Sequence, residues 1–360
     1  MLRRNFFALP AAFAMAAEAD TRVFATGDGV PLTSEEYARL ISGASADDYS
    51  RGGVVEQLES RVAAALGKEA AVWMPTGTLA NHLAVRTLAE KGHRVLVQAE
   101  SHLYNDCGDC AQTLSALNLI PLAPGNATFS FDEAERAANA ALTGRVLAPV
   151  GAIQIESPVR RRRGERFDFE QMKKISTWAR GQKIGMHLDG ARIFLESAYS
   201  GRPVREYAAL FDTVYISMYK YFNAASGAML AGPKSLLAEM YHPRRMFGGG
   251  LHQVWPFAAV ALHYFDGFDQ RLSKAVENSE RVIAELKRDP SFEIERIPNG
   301  TNIFRLRTPN VNGPTYRGRL DAAGVSAGAA VDGWFNMQVN ETWSRVPAEE
   351  IASRFRRALG

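Results

Sequence analysis

Apolar residues recur along this chain in two rhythms. Short runs at 70–74, 95–97, 146–155, 184–188, 214–218 and 228–231 are apolar at nearly every position, the pattern of strands buried on both faces of a sheet. Between them the spacing changes. Ala80, Leu83, Ala84 and Leu88 fall on one helical face, and residues 169–182 also read as a helix. Strands alternating with helices predict an α/β fold: a mainly parallel sheet with helices on both faces. A helical pattern fills the 260s and runs to about Lys287. It carries the chain from a large unit, 49–265, into a smaller C-terminal α+β unit, 266–360. Residues 20–48 read as an irregular arm with one helix over 34–41.

Composition narrows the class. The 360 residues are 46% hydrophobic and 22% charged, the balance of an ordinary globular protein of about two domains. The formal net charge of +3 is too small to suggest nucleic-acid binding. Two cysteines make no disulfide framework, and without a His at ligand spacing they make no zinc site. No apolar run reaches the ~18 residues of a membrane span. The beginning is different: Arg3, Arg4 and Phe6 precede a run of small apolar residues ending in Ala17-Glu18-Ala19. Residues 1–19 thus resemble a twin-arginine export signal, which predicts a periplasmic protein. An amphipathic arm on a cytoplasmic protein is the alternative.

Three segments carry candidate chemistry. Pro75-Thr76-Gly77-Thr78 stands between a strand and a helix, where free N–H groups and hydroxyls suit a phosphate; a plain helix cap fits it too. His187-Leu188-Asp189-Gly190-Ala191-Arg192 ends another strand. A buried carboxylate there needs a cationic partner, the bland reading being a cap on the next helix. Gly190 and Ala191 would leave room for a flat ligand. Ser217-Met218-Tyr219-Lys220 ends a third strand. A partly buried lysine has a lowered pKa and a free amine suited to a Schiff base, unless it snorkels to the surface. Phosphate cradle, carboxylate and lysine together match the requirements of pyridoxal 5'-phosphate.

The motifs GKEAAVWMPTGTLAN at 67–81, HLDGARIF at 187–194, GGGLHQ at 248–253 and TNIF at 301–304, together with His102 and Lys220, resemble the threonine aldolase and aromatic amino acid β-eliminating lyase family of fold-type-I pyridoxal-phosphate enzymes. That resemblance implies a seven-stranded, mainly parallel sheet and a homodimer or homotetramer. It implies Lys220 as the Schiff-base lysine, Asp189 as the partner of the pyridinium, and His102 as the residue stacked on the ring. Gly77, Thr78 and Ser217 are implied as phosphate ligands, and Arg192 as a neighbour of the substrate carboxylate. For His102 the plainer reading is a polar helix-start residue, and for Arg192 an ordinary ion pair. The implied reaction cleaves a β-hydroxy-α-amino acid to glycine and an aldehyde. Neither a metal nor a nucleic acid is expected.

Several positions depart from that family's pattern. Val146 stands where a strand His is expected, and Glu156-Ser157-Pro158-Val159 replaces Glu-Asn-Thr-His. Phe335-Asn336-Met337 lies where an Arg usually meets the substrate carboxylate, His252 replaces another Arg, and Tyr219 replaces a Ser. The four arginines at 160–163 are candidates to take over the carboxylate. Cys107-Gly108-Asp109-Cys110 invites a redox reading, but two cysteines in a helix near the cofactor fit core packing better. Two other readings stay open: β-elimination or another amino-acid reaction on the same cofactor, and cofactor binding without turnover.

Overall fold

The computed structural model describes residues 21–360, so the leader-like residues 1–19 lie outside the described part. Seven strands build the main sheet: β2 (Ala70–Met74), β3 (Arg94–Gln98), β4 (Asn118–Leu122), β5 (Val150–Glu156), β6 (Gly185–Asp189), β7 (Thr213–Ser217) and β8 (Ala228–Gly232). Across the sheet they run β2-β8-β7-β6-β5-β3-β4. All adjacent pairs are parallel except those made by β8, which is antiparallel to both β2 and β7. The cause is local: the 218–227 connection contains no helix, so the chain returns beside β7 in the opposite direction.

The apolar runs became strands because both faces of the sheet are covered. Every residue of β5, β7 and β8 is buried. The helices Gly53–Leu66, Gly77–Leu88 and Phe169–Gln182 lay their apolar stripes on the sheet. Capping starts two of them: the Thr76 and Asp168 side chains accept from Leu79 N–H and Gln171 N–H.

Three expectations change. The run 146–155 shortens to β5, with Val146 and Leu147 outside it at 83% and 66% exposure. The edge strand β4 was unforeseen. It contains Pro121 and exposed Asn118, features tolerated only at an edge. The long helix of the 260s is two, Trp255–Phe265 and Phe268–Leu286, parted at Asp266-Gly267 where Gly267 takes φ 70°.

The C-terminal part holds an antiparallel sheet of β9 (Glu293–Arg296), β10 (Ile303–Arg307) and β12 (Phe335–Gln338), in the order β12-β10-β9. Its core gathers around Phe304, Trp343 and Phe355, against helices Phe268–Leu286 and Ala348–Arg357. The arm contributes β1 (Val23–Ala25), which pairs in parallel with β11 (Val325–Ala327). The Asn340 amide then donates to the carbonyls of Phe24 and Gly27, each at 3.0 Å. The arm is thereby turned toward the large sheet.

Among the described residues no helix is long and apolar enough to cross a membrane. The C-terminal ends of β5, β6 and β7 lie side by side, the place where open α/β sheets present their ligands. Ile216, in the middle of β7, is fully buried. Ile216→Ala is expected to lower the free energy of unfolding by about 2–5 kcal/mol, read from urea denaturation.

Candidate active site

Asp189 is the last residue of β6 and only 2% exposed. Its Oδ2 accepts from Asn81 Nδ2 at 2.6 Å, and its Oδ1 from Ala191 N–H at 3.2 Å. With its amide donating to Asp189, Asn81 turns Oδ1 toward His187 Nε2 at 2.8 Å. That nitrogen must therefore carry the imidazole proton. His187 Nδ1 is left to accept from Thr213 Oγ1 at 2.8 Å. Burial pushes the His187 pKa down to about 4, so the ring stays neutral. Thr213, His187 and Asn81 form a directed relay ending on the carboxylate. The sequence reading singled out neither Asn81 nor His187 for a role, although Asn81 closes the PTGTLAN motif.

A cavity of about 990 Å³ opens at this edge, with Gly77, Thr78, His102, Asp189, Arg192 and Lys220 in its wall. Of the site residues that the family resemblance implies, all but Ser217 thus line one cavity. Gly77 and Thr78 begin helix Gly77–Leu88, so their N–H groups have no partner within the helix and can meet an anion. A Cβ at Gly77 would collide with the Tyr215 hydroxyl, which makes glycine a steric requirement there. The plain-cap reading of Thr76 also holds, since its hydroxyl accepts from Leu79 N–H. Ser217 is buried at the end of β7 but does not line the cavity. Its Oγ lies beside Tyr215 without an aligned hydrogen bond. Gly190 also differs from expectation: a side chain there would meet the Tyr215 carbonyl and Ile193 rather than the cavity.

Lys220 lies in the 218–227 connection, and its Nζ donates to the Tyr219 hydroxyl at 3.3 Å. Burial, helped by the Arg192 charge, lowers its pKa to about 8, against the opposing pull of Asp189 and Asp28. An amine so poised is a nucleophile at mildly alkaline pH.

Glu156 ends β5 almost fully buried, its carboxylate accepting from the backbone N–H of His102 at 2.5 Å and of Arg160 at 2.9 Å. Burial and the nearby Asp189 raise its pKa to about 7. His102 does open a short helix, His102–Asn105, yet it also lines the cavity. Its ring shares a hydrogen bond with the Cys107 thiol, which raises its pKa.

Arg192 is in an ion pair as well as in the wall. Its Nε donates to Asp28 Oδ2 at 2.8 Å, with side chains 15% and 6% exposed. Among the described residues its two terminal nitrogens make no hydrogen bond. Asp28 Oδ1 receives the Asn302 amide at 3.4 Å. Asp28 was not foreseen: it stands in a Thr-Gly-Asp-Gly stretch that reads as a simple turn. Arg160 lines the cavity and pairs with Asp106 at 2.5 Å, whereas Arg161 and Arg162 pair with Glu100 and Glu165. Asn336 is exposed on β12, and His252 sits at the surface near Asp48; neither lines the cavity.

The donor set fits pyridoxal phosphate. An open helix N-terminus, a lysine with a lowered pKa and a buried carboxylate with an oriented partner share one wall. Comparison with known proteins agrees. The beta-eliminating lyase family model matches residues 28–307. The chain is 28% identical over 289 residues to a probable low-specificity L-threonine aldolase of Schizosaccharomyces pombe, covering 79% of this chain and 75% of that one. It is 30% identical over 208 residues to the low specificity L-threonine aldolase of Saccharomyces cerevisiae, covering 57% and 53%. A Listeria monocytogenes structure provisionally described as an L-allo-threonine aldolase superposes with a TM-score of 0.75 at 25% identity, over 94% of this chain and 95% of that one. The chain belongs to the beta-eliminating lyase family, the threonine aldolase group of fold-type-I enzymes.

Proposed function

We propose that this protein is a pyridoxal-phosphate lyase that splits the Cα–Cβ bond of a threonine-like β-hydroxy-α-amino acid, releasing glycine and an aldehyde. The observation that carries this reading is the convergence of Lys220, Asp189 and the Gly77 helix end on one cavity. When bound, the cofactor supplies an electron sink for the pair left on Cα.

The chain's own residues do the rest. Lys220 supplies the amine that joins the cofactor aldehyde. With a pKa of about 8 it can also move a proton near the operating pH. Asp189, aimed by the Asn81 relay, would hold the protonated ring nitrogen of the cofactor. The N–H groups at Gly77 and Thr78 take the phosphate, helped by the Thr78 hydroxyl. His102 covers the ring. Ser217 does not line the cavity, and its buried Oγ has no hydrogen-bond partner among the described residues.

The substrate carboxylate goes to the two terminal nitrogens of Arg192. Asp28 fixes the guanidinium by Nε and leaves those donors facing the cavity. A planar guanidinium held on one side offers its remaining donors at a defined angle, and orientation is what sets the scissile bond relative to the ring. The displaced Asn336 favours a substrate whose carboxylate rests on this single arginine. The family resemblance supports a homodimer or homotetramer. The leader-like residues 1–19 support export to the periplasm, with a cytoplasmic location as the alternative.

Three outcomes are expected. Purified protein supplied with pyridoxal phosphate gains a visible absorbance band and releases aldehyde and glycine from β-hydroxy-α-amino acids, while Lys220→Ala does neither; ammonia and a keto acid as products would instead mark elimination. In the cofactor-free chain, competitive acetylation of Lys220 titrates at about 8. Removing the Arg192 charge (Arg192→Gln) moves that titration up, and removing the Asp189 charge (Asp189→Asn) moves it down, because the first disfavours and the second favours the ammonium. Finally, Asp28→Ala raises KM about tenfold with kcat within about threefold, whereas Asp28→Asn, which keeps an acceptor for Nε, recovers most of the loss. Steady-state aldehyde release measures both.

A further inference from the structure

Cys107 and Cys110 are free and buried, and they are the chain's two cysteines. They stand at the ends of a tight turn. The Cys110 N–H donates to the Cys107 carbonyl at 3.2 Å, and Gly108 and Asp109 between them take φ 57° and 52°. A β-turn brings its end Cα atoms within about 7 Å, and a disulfide spans roughly 4.4–6.8 Å. Each thiol also shifts the other's ionisation, Cys107 upward and Cys110 downward. The tip of the turn is open, since a side chain at Gly108 would meet nothing within 4 Å. A small solute can approach from that side.

The inner end of the turn reaches the cavity wall. Cys107 Sγ lies 3.2 Å from His102 Nδ1, and its thiol donates to Thr78 Oγ1 at 3.7 Å. Among the described residues no other side chain is hydrogen bonded to the His102 ring. The preceding Asp106 holds Arg160 at 2.5 Å, so one turn touches three wall residues from three elements. No group of three or more metal-ligating side chains occurs among the described residues, so these thiols are not part of such a cluster.

We propose that Cys107 and Cys110 form a redox-active dithiol, and that its oxidation by a peroxide to an intramolecular disulfide frees the His102 ring and loosens the cavity's hold on its cofactor. Cys110 reacts first. The neighbouring Cys107 thiol lowers its pKa, whereas Cys107 is held protonated by that pairing and by burial. The Cys110 thiolate attacks one peroxide oxygen, the O–O bond breaks, and the departing hydroxide takes up the proton that Cys110 gave up, leaving a sulfenic acid and water. Cys107 sulfur then attacks the Cys110 sulfur; the S–S bond forms, hydroxide leaves and takes the Cys107 proton as water. Two thiols and one peroxide thus give one disulfide and two waters, and an external dithiol reverses the change. After oxidation Cys107 has no proton to donate to Thr78. Its sulfur is a poorer partner for the imidazole, and the His102 pKa falls back from its raised value.

The effect on the cofactor rests on the reading of His102 and Thr78 given above; the thiol chemistry and the His102 titration do not. The full chain is therefore treated with hydrogen peroxide both without and with pyridoxal phosphate. The expected result without cofactor is loss of both titratable thiols, a mass lower by two hydrogens, and a His102 ring-proton NMR titration moved to lower pH. With cofactor, the dissociation constant rises about tenfold, equivalent to about 1.4 kcal/mol, and dithiothreitol restores it. Cys110→Ser and Cys110→Ala keep the reduced affinity and lose the response. The proposal is overturned if both thiols of the native chain survive peroxide, or if the disulfide forms while His102 titrates unchanged or cofactor affinity stays within about twofold. A wild-type chain that never binds the cofactor but oxidises and shifts His102 would overturn the proposed function and leave the switch at His102 standing.

Discussion

A carboxylate taken out of water at the end of a central strand must be satisfied, or its burial costs several kcal/mol. Asp189 is satisfied by the Ala191 N–H and by one side-chain amide, and that amide is oriented by a histidine which is itself oriented by a hydroxyl. Each donor in the relay has only one direction open to it. The relay joins the motif at 75–81 to that at 187–194, and it holds helix Gly77–Leu88 in register with β6. Much of the wall follows from that constraint: once Asn81 meets Asp189, the helix end with Gly77 and Thr78 faces the same cavity as Lys220. Without an inward-facing Asn81, the three pieces of chemistry would share a sheet but not a pocket.

A second constraint is the ion pair of Asp28 and Arg192. Asp28 belongs to the arm, Arg192 follows β6, and Asn302 precedes β10. Three distant stretches of chain converge on one carboxylate. Pairs this buried contribute less by net energy than by geometry, since removing one partner strands the other. The guanidinium is therefore fixed by Nε, and among the described residues its terminal nitrogens make no hydrogen bond.

The fold was largely legible because buried strands and amphipathic helices write their periods directly into the chain. It failed at β4, where Pro121 and exposed Asn118 hide an edge strand, and at β1, whose pairing with residues 325–327 leaves no local trace. It failed too at Asp266-Gly267, where one glycine parts a pattern that reads as continuous. Lys220, Asp189 and Gly77 could be picked out as candidates because each sits in a short motif at a strand or helix end, and the fold brings them into one cavity wall. Asp28, Glu156 and His187 were passed over because their roles come from partners far away in sequence. Ser217 is a different case: the family resemblance implies a phosphate ligand there, and its Oγ is buried without a hydrogen-bond partner at the end of β7, outside the cavity wall.

The pairing of β1 with β11 has a consequence for how the molecule comes into being. The stretch of arm that carries Asp28 is held by the strand at 325–327 and by the Asn340 amide. Those are synthesised after the whole large sheet, whose last strand is β8. A nascent chain can complete that sheet, with Lys220 and Asp189 in place, before Asp28 meets Arg192. The buried ion pair thus closes late, once β1 has found β11.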